Sequence, residues 1–298
     1  MRRWIRRATS GIRGRVGRLL HPGWYSWNDV EVAFIVSTGR TGTQKLAHVM
    51  SALCRGVDAR HEPSPDMFDL GTDYVRGRIA LERALVHFRI SRDYVCREIH
   101  RVGCDYYIES NNNVSLIIPV IRRFFGRCRI IHVVRDGRDF VRSAYSKVVP
   151  SVSRPGAEVL LLSDADPRKR LQAPDFEHDP YRDRWSQMSR FERLCWLWMK
   201  LDSMICQEIA DDPLAMTVKF EDIFDEASDY KGLWSILDFL GLASRMTVPA
   251  ERVAQLMSEK TNRTARYLIS PWQQWPDEMM FQFSQIAGEH MAHHGYSC

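Results

Sequence analysis

The chain has 298 residues, 45% hydrophobic and 27% charged, the balance of a globular protein near the upper size for one core. No run approaches the roughly 20 apolar residues that span a bilayer, and a net charge of +5 favours anionic ligands without marking a nucleic-acid binder. Seven cysteines, an odd count without a CxxC pair, and no secretory signal argue for reduced thiols in a cytoplasmic setting and give a zinc site no support.

Residues 1–20 are arginine-rich, with spaced apolar residues and three glycines that weaken any helix. A flexible basic tail over residues 1–28 is the preferred reading; a weak amphipathic helix on an anionic membrane surface is the alternative. A single domain then fills residues 29–298. Its first unit is a β-branched and aromatic run, Val32 to Val36, then a turn through Ser37, Thr38, Gly39, Arg40, Thr41 and Gly42. From Thr43 and Gln44 to Leu53, apolar residues recur at helical spacing. A buried strand, a glycine loop and an amphipathic helix make an anion site, because loop amides and the positive helix end converge there.

Residues 57–60 predict a short strand leading into His61-Glu62-Pro63, and residues 73–90 a helix with one apolar face. Tyr106, Tyr107 and Ile108 predict another strand, ending at Glu109; a helix follows over 114–125. Residues 129–134 are a further strand running into Arg135-Asp136-Gly137-Arg138-Asp139 and a helix through about 147. Strands alternating with helices predict an α/β domain with a central, mostly parallel sheet flanked by helices, its loops sharing one rim beyond the strand ends. Residues 148–184, broken by prolines, read as a lid or substrate loop. A long helix over 185–210, a strand over 214–220, a short helix closed by Gly241 and a helical C-terminal extension complete the chain.

Asp136 is placed to cap the helix after the fourth strand, and Asp139 to complete the cap. Arg135 and Ser143 are left to grip a phosphate by charge-assisted hydrogen bonds. Two anion sites, at Arg40 and Arg135, suit a ligand carrying phosphoryl groups at both ends. Residues 37–43 resemble the 5′-phosphosulfate loop of PAPS-dependent sulfotransferases, a P-loop-like family. Arg135 through Tyr145 resembles that family's 3′-phosphate motif, and residues 218–224, 239–242 and the segment with Trp275, Gly288 and Tyr296 are similar to its later regions.

The resemblance implies in-line sulfuryl transfer from 3′-phosphoadenosine 5′-phosphosulfate to an acceptor hydroxyl or amine, with adenosine 3′,5′-bisphosphate released and no metal required. Ser37 to Gln44, with Arg135 and Ser143, would bind the nucleotide, and Arg40 would stabilise the leaving phosphate. Glu62 is the first choice for the base, by resemblance to carbohydrate and tyrosyl-protein members; His61 is the alternative, and Glu109 and His100 rank lower. The acceptor is left open among small molecules, carbohydrates, lipids and peptides, as is the oligomeric state. A kinase reading is disfavoured because Gly42 is followed by Thr43 and Gln44, with Lys45 two places late for a Walker lysine. A non-catalytic nucleotide-binding relative is the third reading. His290, His293 and His294 have metal-like spacing, but a solvated C-terminal helix is the simpler expectation.

Overall fold

The computed structural model describes residues 25–146, 170–259 and 267–297. The basic segment 1–24 and the greater part of the proline-broken segment lie outside them. Five strands form one sheet, all parallel, in the order β2-β3-β1-β4-β5. They are β1 (Glu31–Val36), β2 (Val57–His61), β3 (Tyr106–Ser110), β4 (Arg129–Val134) and β5 (Ala215–Lys219). β1 sits between β3 and β4, so the loop after it opens where chain connections leave in opposite directions, the usual ligand crevice of an open parallel sheet.

The continuous apolar runs of β1, β3 and β4 follow from burial on both faces. Along β1, Ala33 and Ile35 enter one core, with Leu46, Val49 and Met50 of α1 (Thr43–Leu53). Val32, Phe34 and Val36 enter the opposite core, with Phe88, Val95 and Ile99. A third cluster, built from tryptophans and phenylalanines, joins helices beyond β4.

The single helix expected over 73–90 is two: α2 (Phe68–Val75) and α3 (Leu81–Val102). Gly77, at φ +68°, breaks the run, and the apolar stripe of α3 continues through Val95 and Ile99 past the expected end. A 3₁₀ turn over Asn113–Ile117 precedes α4 (Ile118–Phe125). α5 (Gly137–Tyr145) follows β4, and α6 (Arg190–Ile209) opens with a capping box between Ser189 and Glu192. After β5 come α7 (Phe220–Phe224), α8 (Lys231–Phe239), α9 (Ala250–Ser258) and α10 (Asp277–His293). Residues 170–184 pack onto the helices: Asp179 accepts from the Trp196 indole at 3.1 Å and pairs with Lys200 at 3.2 Å. No described helix is long and apolar enough to cross a membrane.

Candidate active site

The loop between β1 and α1 is held in an unusual backbone. Gly39, Arg40 and Gly42 all have positive φ, at 89°, 60° and 66°. At Gly42 glycine is required twice over, since a Cβ would also meet the Phe224 ring at 2.8 Å. Arg40 has a Cβ and adopts the left-handed region at a cost on the order of 1–3 kcal/mol. The Arg135 guanidinium donates to the Arg40 carbonyl at 2.8 Å and so helps hold it there.

Two of the loop hydroxyls shape the loop itself. Ser37 Oγ accepts from the Gly39 amide at 3.1 Å and from Thr41 Oγ1 at 2.8 Å. Ser115, 78 residues away, accepts from the Ser37 amide at 3.2 Å and donates to the Ser37 carbonyl at 3.1 Å. Thr38 and Thr43 are buried beside them, while Gln44 faces outward. The helical ladder begins with Leu46 N–H on the Gly42 carbonyl, so the amides of Thr43, Gln44 and Lys45 precede it at the positive end of α1.

Arg40, Arg135 and Ser143 meet here from three elements. Arg40 Nε donates to Ser143 Oγ at 3.0 Å, across 103 residues of sequence. Ser143 lies on α5 and is buried. The Arg135 guanidinium lies 4.5 Å over the Phe220 ring, and its Nε is buried with no hydrogen-bond partner among the described residues. Its nearest carboxylate, Asp139, stands 3.9 Å away. Arg40 and Arg135, expected from the sequence to carry two separate anion sites, are thus neighbours. Of the residues that brace them, Phe220 and Phe224 lie in the 218–224 segment already picked out by resemblance, whereas Ser115 had no local signal; all three reach the loop through the tertiary fold.

Other charged residues nearby are engaged. Asp136 caps α5, accepting the Arg138 amide at 2.8 Å, and binds the Arg138 guanidinium at 3.0 and 2.7 Å. Glu221 accepts from the Asp136 amide at 3.2 Å and from the Tyr296 hydroxyl at 2.7 Å, tying the C-terminal segment to the same strand end. Lys45 points away from a Walker role: its buried Nζ donates to the Glu259 carbonyl at 2.5 Å, and burial pushes its ammonium below the ordinary lysine value despite Glu259.

Of the four base candidates, two stand on the rim. His61 ends β2, with Nδ1 3.1 Å from the Ser110 carbonyl. A carbonyl oxygen can only accept, so the tautomer with the proton on Nδ1 fits this contact and leaves a lone pair on Nε2. Burial lowers the imidazole below its ordinary value, and the Ser110 bond opposes this less strongly. Ser110 Oγ in turn donates to the Thr43 carbonyl at 2.8 Å, linking the β2 end to the glycine loop. Glu62, the next residue, is half-buried with φ +44°, and its amide donates to the same Ser110 carbonyl at 2.9 Å.

The other two candidates are removed by their surroundings. Glu109 is fully buried and takes Arg92 in a two-pronged ion pair at 2.6 and 2.7 Å, with Tyr107 and Asn111 donating to it as well. His100 lies at the far end of α3, bonded to the Ser26 carbonyl before β1, at the amino-terminal edge of the sheet.

The expectation of a solvated face for the C-terminal histidines is also overturned. His290 and His294 turn inward, and each Nε2 lies 2.5 Å from Asp202 Oδ2 of α6. Their side chains are 15% and 7% exposed, and only His293 faces solvent.

No protein-family model matches the chain, and no curated protein does. The solved structures that align with the chain include two sulfotransferase domains. One is a sulfotransferase domain from the curacin biosynthetic pathway, 11% identical, with a TM-score of 0.49, covering 88% of this chain and 97% of that one. The other is the sulfotransferase domain from the Synechococcus PCC 7002 olefin synthase, 14% identical, with a TM-score of 0.45, covering 90% and 98%. Likeness at this level carries no residue's role across, so what Arg40, Arg135 and Ser143 do must be read from their own surroundings.

Proposed function

We propose that this chain is a sulfotransferase that moves the sulfuryl group of 3′-phosphoadenosine 5′-phosphosulfate to an acceptor hydroxyl or amine. The observation that carries the reading is the meeting of Arg40, Arg135 and Ser143 beside a glycine loop and a helix amino terminus. The orphaned, buried Arg135 Nε fits an anionic ligand, which would satisfy it.

When bound, the nucleotide supplies an activated sulfuryl group. Arg135 and Ser143 would hold its 3′-phosphate, with the guanidinium fixed against Phe220. Arg40 and the amides at the start of α1 would hold the 5′ side and stabilise charge developing on the leaving phosphate. Arg40 would exchange its contact with Ser143 for the ligand. Glu62 would take the proton of the acceptor oxygen or nitrogen as that atom attacks the sulfuryl group, whose former bond partner, the 5′-phosphate, would leave against Arg40. His61, with an unprotonated Nε2, is the alternative acceptor of that proton.

The kinase reading loses further support from the geometry. Lys45 is turned onto Glu259, and Asp136 is engaged with its own helix and Arg138, so neither stands ready for a triphosphate or its magnesium ion. A thermal-shift comparison tests the proposal. Adenosine 3′,5′-bisphosphate at about 100-fold over its Kd should stabilise the chain by about 2.7 kcal/mol, a rise of a few degrees. A response to ATP with magnesium and none to the bisphosphate would overturn it.

A further inference from the structure

The residues gathered on Asp202 belong neither to the glycine loop nor to the base. Asp202 and Cys206 stand one turn apart on α6; His290 and His294 stand one turn apart at the end of α10. Their donor atoms all lie within 4.8 Å of one another. Both imidazole Nε2 atoms lie 2.5 Å from Asp202 Oδ2, and Cys206 Sγ lies 3.7 Å from the same oxygen and 3.8 Å from His294 Nε2. Asp202 is completely buried.

As a hydrogen-bond cluster this arrangement is poor. Three donors crowd one carboxylate oxygen, which has lone pairs for two. The other oxygen, Oδ1, has His132 Nε2 at 2.9 Å, yet neither atom makes a hydrogen bond of acceptable geometry. Buried polar atoms left in that state call for an explanation.

We propose that Asp202, Cys206, His290 and His294 form a tetrahedral site for a thiophilic divalent cation of the zinc class. One sulfur, two imidazole nitrogens and one carboxylate oxygen are a zinc ligand set. Zinc bonds of about 2.3 Å to sulfur and about 2.0 Å to nitrogen put those atoms about 3.6 Å apart in a tetrahedron. The two contacts to Cys206 already have that length. The contacts from imidazole to carboxylate must open by roughly 0.8 Å to reach the corresponding edge. His132, on β4, stands 2.9 Å from the other carboxylate oxygen, close enough to become its orienting partner once the carboxylate turns to the cation. The cation would take Cys206 as thiolate, displacing its proton.

Four protein ligands close the shell, so the role is structural. The ion would bolt α10 to α6, and through His132 to β4, three residues before Arg135. The bolt also lies close to α5: the Gly137 amide donates to Met291 Sδ at 3.3 Å. The site requires only the fold and stands whether or not the chain transfers sulfuryl groups.

The test uses the full chain. Purified protein, dialysed against metal-free buffer, should retain a single equivalent of zinc by mass spectrometry. After exchange for cobalt(II), it should show the intense visible bands of a tetrahedral site and a thiolate-to-cobalt charge-transfer band. Cys206→Ser should lose the charge-transfer band, whereas His293→Gln, altering the exposed neighbour on the same helix, should leave both features unchanged. Absence of stoichiometric metal in the wild-type chain after loading with zinc or cobalt would overturn the proposal, even if Cys206→Ser failed to fold. So would a charge-transfer band that survives in Cys206→Ser or disappears in His293→Gln.

Discussion

At the ends of β3 and β4 an arginine stands beside a carboxylate, and the two arginines are used in opposite ways. At β3, Arg92 is fully buried and meets Glu109 through both prongs, with Tyr107 and Asn111 completing the carboxylate. Burial pulls the Arg92 guanidinium down, but Glu109's charge and hydrogen bonds outweigh it, so the net shift is upward. At β4, Arg135 reaches a carbonyl and an aromatic face, stands 3.9 Å from Asp139 and keeps one donor unmatched. Charge satisfied inside the protein builds structure; charge left partly unsatisfied beside a helix amino terminus is available to a ligand.

Substitutions should separate the two ends. Arg92→Ala leaves Glu109 buried without its partner and should cost about 3–5 kcal/mol of stability, read from urea midpoints; a loss below about 1 kcal/mol would mean that the pair is not a structural lock. Arg40→Ala should keep the fold but lower turnover roughly 10²–10³-fold, about 3–4 kcal/mol in the barrier. Activity within about threefold of wild type would remove Arg40 from the leaving-group role.

The smallest effect belongs to His61. Burial holds its imidazole below the ordinary value of about 6.5, so under that pH the unfolded chain binds more protons than the native one. Its contribution to stability is therefore intact above about pH 6.5 and lost as the pH falls towards the lowered native value. His61→Gln, which keeps a donor for Ser110, should make the acid decline shallower. Urea midpoints from about pH 7.5 to about pH 5 would show it, and an unchanged slope would mean that His61 does not titrate as buried.

The contrast also explains what the sequence could reveal. The glycine loop was legible because its constraints are local: a strand, positive φ at Gly39 and Gly42, and a helix start lie within a dozen residues. Arg135 and Ser143 were legible because strand and helix carry them to the same rim. The role of Glu109 was not, since its partner Arg92 sits on α3 beyond the expected end of that helix. His290 and His294 showed their one-turn spacing, but periodicity does not say what a face packs against. Asp202, 88 and 92 residues earlier, supplies that face only once α6 and α10 are side by side.

The central claim is that two adjoining cationic sites select a nucleotide phosphorylated at both the 3′ and 5′ positions. Calorimetry of adenosine 3′,5′-bisphosphate against adenosine 5′-monophosphate, on wild type and Arg135→Ala, measures this directly. The wild-type chain should prefer the bisphosphate by roughly 10–150-fold, the equivalent of about 1.5–3 kcal/mol for hydrogen bonds to a charged group, and Arg135→Ala should lose most of that preference. Equal affinities in the wild type, or a preference unchanged in Arg135→Ala, would contradict the account.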